Sequence, residues 1–269
     1  EKTTASLIQS RTFLKTDKGA IYNAEYLAIL IGFLKTLNTR ALRKVITFHS
    51  TIKKALNFSN DLIEIDKELK NRKFKIRSKH VSGQMNAYER RNRINELDSI
   101  NDKESYVLTN SRCLSEGVDV PTLDSVAFVD PRRSQVDIIQ AVGRAIRLSN
   151  NKKLGTIIIP IFIKENHSAG EAIAESDFAY IWDVINALKA HDDTLQEELN
   201  FITTNLGEKI SKKDYRIDKI NKIVFDIPTS VPKNFESSLK TIIARNCGDD
   251  WDYNYGLLKS YVSEFNKIP

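Results

Sequence analysis

Cysteine is scarce in this chain of 269 residues. The two present, Cys113 and Cys247, are far apart and have neither metal-ligand spacing nor the density of a disulfide framework. That usage fits a reducing compartment, so a cytoplasmic location is expected. The four histidines are scattered, and no metal site is expected. Long apolar runs are also missing. None approaches the ~20 residues of a membrane span, and the candidate at residues 157–163 is interrupted by Pro160, so no membrane partner is expected. Only ten glycines and six prolines occur, which excludes fibrous and disordered classes. No signal-like segment is present and the chain starts at Glu1 without an initiator Met, which leads us to expect a piece of a longer polypeptide.

What is present is ordinary for a packed protein, with 41% hydrophobic and 28% charged residues. The length suffices for one large domain or a domain with an appendage. A net charge of +6 implies an anionic partner only where the basic residues gather. They gather in sequence between Lys70 and Arg93, where Glu89 is the only acid. A solvated helix end and loop would explain that run by itself, so context has to decide.

Apolar residues at Leu27, Leu30, Ile31, Leu34 and Leu37 predict a helix, with Asn23 as its cap. K-V-I-T-F at 44–48 predicts a strand, followed at Ser50 and Thr51 by helix-start chemistry and a periodic segment to about residue 69. The pattern repeats with strands within 74–81, 105–109 and 125–129, helices over 87–97 and 134–146, and a β-rich run at 155–163. Strands alternating with helices predict the α/β class, a parallel sheet covered on both faces. Beyond residue 165 the composition changes. One long helix or two are expected within 169–199, then a strand at 222–227 and helices at 235–245 and 253–265, forming a smaller, mostly helical C-terminal region.

The sharpest local feature is Q-A-V-G-R-A-I-R at 140–147. At roughly 100° per residue, Gln140, Arg144 and Arg147 share a narrow stripe opposite Ile138, Val142, Ala145 and Ile146. Two guanidiniums and an amide then project together, with Gly143 clearing space beside them. Upstream stands T-N-S-R-C-L-S-E-G-V-D-V-P at 109–121, at the end of a predicted strand. There Gly117 frees the backbone for close approach to a ligand, and Asp119 places a carboxylate beside the turn. Asp130-Pro131 reads as a plain turn, and Trp182, at helical spacing with apolar neighbours, reads as core.

These residues carry a resemblance. The span 43–163 is similar to the C-terminal, second RecA-like lobe of superfamily 2 helicases of the DEAD/DEAH type, including the motor subunits of restriction enzymes. V-I-T-F-H-S at 45–50 resembles motif IV, H-V-S-G-Q-M at 80–85 with Arg90 the segment before motif V, 109–121 motif V, and 140–147 motif VI. The resemblance implies that Arg144 and Arg147 reach across to the γ-phosphate of ATP held by the other lobe, where positive charge stabilises the transferring phosphoryl group. It implies that Gln140 couples the nucleotide to that lobe, and that Gly117 and Asp119 lie near the nucleotide sugar. His49, Ser50, Ser82, Gly83, Thr109 and Asn110 match loop positions that contact a nucleic-acid backbone, with the basic run as an extension of that track, part of it expected at the opposite end of the sheet.

A motor of this class also needs a phosphate loop ending in Gly-Lys-Ser or Gly-Lys-Thr and an acidic Mg²⁺ site, both on the first lobe. No Gly-Lys or Asp-Glu dipeptide occurs anywhere in the sequence. Residues 1–40 are therefore expected to be a connector or the trailing edge of an absent first lobe, 41–165 the helicase lobe, 166–250 a helical extension, and 251–269 the truncated start of a helicase-associated repeat. That last expectation rests on W-D-Y-N-Y-G-L-L-K-S-Y, whose simpler reading is an amphipathic helix with Trp251, Tyr255, Leu258 and Tyr261 near one face. ATP and Mg²⁺ are expected in the full-length protein and neither on this chain alone, which should not hydrolyse ATP. The expected partners are nucleic acid, DNA rather than RNA, and the first lobe of the same polypeptide. The competing reading is a non-hydrolytic nucleic-acid-binding scaffold with a degenerate helicase fold. An unrelated doubly wound enzyme is the weakest alternative, since no catalytic triad, dinucleotide fingerprint or metal cluster is present.

Overall fold

The computed structural model describes residues 13–15, 21–69, 73–111, 113, 123–130, 155–160, 171, 179–190, 192–208, 224 and 234–269. The chain forms two compact units, Glu1–Glu165 and Asn166–Pro269.

The first unit opens with a short antiparallel ribbon, β1 (Phe13–Lys15) against β2 (Ile21–Asn23), and continues into helix α1 (Ala24–Thr39). Asn23 caps α1, its side-chain oxygen accepting from the amides of Glu25 and Tyr26 at 2.9 and 3.3 Å. Then follow β3 (Lys44–Phe48), α2 (Ile52–Glu68), β4 (Lys75–Val81), α3 (Ala87–Asp98), β5 (Glu104–Asn110), β6 (Ser125–Phe128) and β7 (Thr156–Ile158). The last five strands form one parallel sheet in the order β4-β5-β3-β6-β7. The connection after β3 runs past β5 to β4, whereas the connection after β6 runs the opposite way to β7, so the connections diverge between the neighbouring strands β3 and β6. Open parallel sheets bind ligands beyond the carboxyl ends of the strands at such a point.

Both faces of the central strands β3, β5 and β6 are buried, which explains why they do not alternate, whereas the outer strand β4 does. Leu30, Phe33 and Leu37 of α1 and Phe58 and Leu62 of α2 cluster with Val45, Val107 and Ala127 of the sheet. On the other face Tyr106 is fully buried, its hydroxyl 3.4 Å from the Arg93 carbonyl and 3.3 Å from Glu96 Oε2 on α3. Hydroxyls line the seam between the sheet and α2. Ser59 and Ser78 hydroxyls lie 2.9 Å apart, and Thr109 Oγ1 donates to the Ala55 carbonyl at 2.8 Å. The Tyr22 and Tyr26 hydroxyls both donate to Asp61 on α2, at 3.3 and 2.8 Å, tying the ribbon and α1 to that helix.

The second unit contains α4 (Ala179–Lys189), α5 (Asp193–Gly207), α6 (Phe235–Cys247) and α7 (Asp250–Phe265). The stretch expected as one helix or two is two, and the second runs past residue 199 to Gly207. Asp192 accepts from the Leu195 amide at 3.1 Å as the N-cap of α5, where negative charge also meets the positive end of the helix. Trp182, expected in the core, is half-buried on α4 beside the buried Ile181. Helix α7 starts at Asp250, three residues before the expected 253. It meets α5 through glycine, not through its aromatic stripe: a Cβ on Gly256 would lie 2.0 Å from the Thr204 carbonyl oxygen, and one on Gly207 2.1 Å from that of Tyr253. Trp251 is 70% exposed and stacks on Tyr255, with ring centroids 5.2 Å apart. The strand expected at 222–227 lies outside the described residues except for Val224, which belongs to no regular element. Among the described residues no helix is long and apolar enough to cross a membrane.

Candidate nucleic-acid interface at the strand ends

Backbone hydrogen bonds lace the carboxyl ends of β5, β3 and β6 together. The His49 amide donates to the Asn110 carbonyl at 2.9 Å, and the Val129 amide to the Phe48 carbonyl at 3.2 Å. In register, Phe48 lies opposite Asn110 and Phe128, and Val81 opposite Asn110. His49, Ser50, Thr109 and Asn110 thus come together at one edge of the sheet, with Ser82 and Gly83 following β4 at the same edge.

The environments differ sharply along that edge. His49 is 1% exposed, with its ring 4.8 Å from that of Phe58. Its Nε2 is 2.8 Å from Thr47 Oγ1 and its Nδ1 is 3.3 Å from Asp130 Oδ2. Nδ1 thus faces the carboxylate and Nε2 the threonine hydroxyl, with the donor in the second contact set by the tautomer. The same Asp130 oxygen accepts from the Ser50 amide at 3.4 Å, and Asp130 Oδ1 from Lys54 Nζ at 3.0 Å. Burial pushes the Asp130 carboxyl up, but the hydrogen bonds and charges of His49 and Lys54 outweigh it and hold the group below its ordinary range. Thr51 completes the loop by capping α2, accepting from the Lys54 amide at 3.2 Å.

Thr109 and Asn110 are fully buried. Thr109 is committed to α2 as described, and Asn110 Nδ2 donates to the Thr47 carbonyl at 3.0 Å while its Oδ1 has no hydrogen-bond partner among the described residues. Ser82 is buried, with its carbonyl accepting from the Met85 amide at 3.2 Å. Gly83 is exposed with open space where a Cβ would stand. Arg90 reaches back from α3 to hold this turn, donating to the Gly83 and Met85 carbonyls at 3.3 and 3.0 Å. Arg93 donates to the His80 carbonyl, and burial followed by the Arg93 charge lowers the His80 pKa. Buried side chains of His49, Ser82, Thr109 and Asn110 therefore shape the edge from within, while half-buried Ser50 and exposed Gly83 reach its surface.

The basic run is dispersed. Arg77 pairs with Glu96 and Glu104 at 3.2 and 3.3 Å, and Lys79 with Glu96 at 2.8 Å, all on the flank of edge strand β4. Burial raises the Glu96 carboxyl, but Lys79, Tyr106 and Arg77 together bring it below its usual range. Two of the charges that looked unopposed in sequence, Arg77 and Lys79, are thus paired by acids of α3 and β5. Gly117, Asp119, Gln140, Arg144 and Arg147 lie outside the described residues. Sequence reasoning missed Thr47, Lys54 and Asp130. The turn expected at Asp130-Pro131 proves to carry a carboxylate with three donors, a grouping made across strands that no local pattern announces.

A five-stranded parallel sheet in this order, covered by helices and carrying polar loops at one edge, is a RecA-like lobe. Within it, residues 29–149 match the helicase conserved C-terminal domain. The chain resembles, over its whole length, the ATP-dependent Type ISP restriction-modification enzyme LlaBIII, solved bound to DNA, at 26% identity and a TM-score of 0.66, covering 19% of that enzyme. It is 34% identical over 97 residues to the probable helicase A859L of African swine fever virus, 36% of this chain and 11% of that protein. It is 28% identical over 241 residues to the putative ATP-dependent helicase IRC3 of Saccharomyces cerevisiae, 86% of this chain and 32% of that protein. The chain therefore spans only a fraction of the length of these relatives.

Proposed function

We propose that the chain is the second motor lobe of an ATP-dependent nucleic-acid helicase or translocase and works against a first lobe that holds ATP and Mg²⁺. The observation that carries this reading is the helicase C-terminal domain over 29–149, which takes in all four motif-like segments in order. When the lobes close, Arg144 and Arg147 meet charge developing on the transferring phosphoryl group, an effect worth about 10³ to 10⁵ in rate where such arginines act. Gln140, Gly117 and Asp119 face the nucleotide and the other lobe. Backbone groups and small side chains at Ser50 and Gly83 meet the phosphate backbone, shaped by His49, Ser82, Thr109 and Asn110 beneath. Contacts of that kind position a strand without reading its sequence. DNA is the favoured track, because the restriction enzyme that resembles this chain throughout is described bound to DNA.

Alone, the lobe does not hydrolyse ATP, because the sequence has no Gly-Lys for a phosphate loop. The non-hydrolytic scaffold is disfavoured because it has no use for both Arg144 and Arg147. ATP turnover of this chain and of the complete protein, each with and without DNA or RNA, tests the reading. The expected result is an inactive chain beside a complete protein stimulated by nucleic acid. No turnover in either would support the scaffold.

A further inference from the structure

Asp130 occupies a place that a turn residue does not need. Its carboxylate stands at the end of β6, 17% exposed, and gathers donors from three consecutive parts of the neighbouring connection. These are the His49 ring and the Ser50 amide on one oxygen and Lys54 Nζ, in the first turn of α2, on the other. The opposite side of the same loop is held by the Asn110 carbonyl through the His49 amide. Residues 49–51 are thereby clamped between β5 and β6. From Asp130 the chain runs within ten residues to Gln140, the start of the arginine-bearing segment. A carboxylate here has a cost for a lobe that tracks a polyanion, since it repels the phosphates approaching Ser50.

We infer that Asp130 is a positioning residue for nucleic acid: it fixes the 49–51 loop so that Ser50 and the loop backbone meet a phosphate in register, and this gain exceeds its own repulsion. The inference rests on the helicase reading above. Asp130 itself touches no phosphate.

The sign of one substitution separates this role from simple electrostatics. Asp130→Asn keeps the shape and removes the charge. If charge alone mattered, a polyanion would bind more tightly; if the carboxylate positions the loop, binding weakens. The readout is the concentration of mixed-sequence DNA or RNA, whichever stimulates the unaltered complete protein, that gives half-maximal ATP turnover. For Asp130→Asn this concentration is expected to rise about tenfold, the scale of one hydrogen bond to a charged group, with saturated turnover reduced by no more than about twofold. The salt dependence of binding keeps its slope, because that slope counts phosphates neutralised by cations and none is lost. His49→Gln removes a donor while leaving the carboxylate charge in place. It should shift the half-saturating concentration in the same direction, and the double variant should be no worse than the weaker single one, since both act through one loop.

Thermal unfolding checks that each variant folds; should Asp130→Asn fail, His49→Gln carries the same test. Unchanged or tighter half-saturation in a folded variant, or fully additive effects in the double, would overturn the positioning role alone. Absence of any stimulation in the unaltered protein would overturn the helicase reading, and this role with it.

Discussion

Cys247 lies 3% exposed at the end of α6, and burial, opposed by the charge of Lys189, pushes its thiol up to about 12. Only the thiolate is nucleophilic, so this cysteine should resist alkylation at pH 8 until the second unit unfolds. Mass spectrometry after iodoacetamide treatment, with and without denaturant, checks it; rapid native labelling of Cys247 would contradict the burial. His80 and Asp130 give the first unit an acid limb. His80 has a folded pKa below its ordinary value of about 6.5, so the unfolded state takes up the proton first and stability falls as pH drops through that range. Asp130 is also lowered, so its contribution is complete above the ordinary carboxylate value of about 3.9 and is lost as pH falls through the lower folded value. Urea unfolding followed by pH should show a decline beginning below about 6.5, and His80→Asn should remove its first part. A flat profile down to the carboxylate range would contradict the His80 environment.

Helices α5 and α7 meet where two glycines allow their backbones to touch. Gly256→Ala places a methyl 2.0 Å from the Thr204 carbonyl oxygen, a backbone atom that cannot rotate away. The expected cost is about 1–3 kcal/mol, seen as a lower melting midpoint for the second unit, whereas Leu258→Ala on the same helix, at a side chain 38% exposed, should be nearly neutral. Equal effects of the two would refute the close contact. The elements themselves were largely legible in sequence wherever the signal was local. Asn23 and Thr51 cap the helices that follow them, and K-V-I-T-F is the central strand. The direction of the aromatic stripe on α7 was not legible, because periodicity groups residues on a face without saying which face packs. The start of α5 after Asp192 was not legible either, since a cap shows itself only through the amide that it binds.

For the molecule as a whole, the order of motif-like segments conveyed more than any single residue, and it led to the RecA-like lobe and the helicase C-terminal domain that are found. The strand-end residues were legible as a group because parallel strands bring their carboxyl ends to one edge. Their burial was not legible, nor was Asp130, whose partners Lys54 and Ser50 are 76 and 80 residues away in the chain. In the proposed reading the lobe presents charge to a nucleotide that another lobe holds, and that chemistry is assigned to Arg144 and Arg147. The most direct test is Arg147→Ala in the complete protein, measuring ATP binding and nucleic-acid-stimulated turnover together. Turnover should fall by about 10³ or more while ATP affinity changes little, as expected for a group that acts mainly in the transition state. Unchanged turnover would contradict the account at its centre.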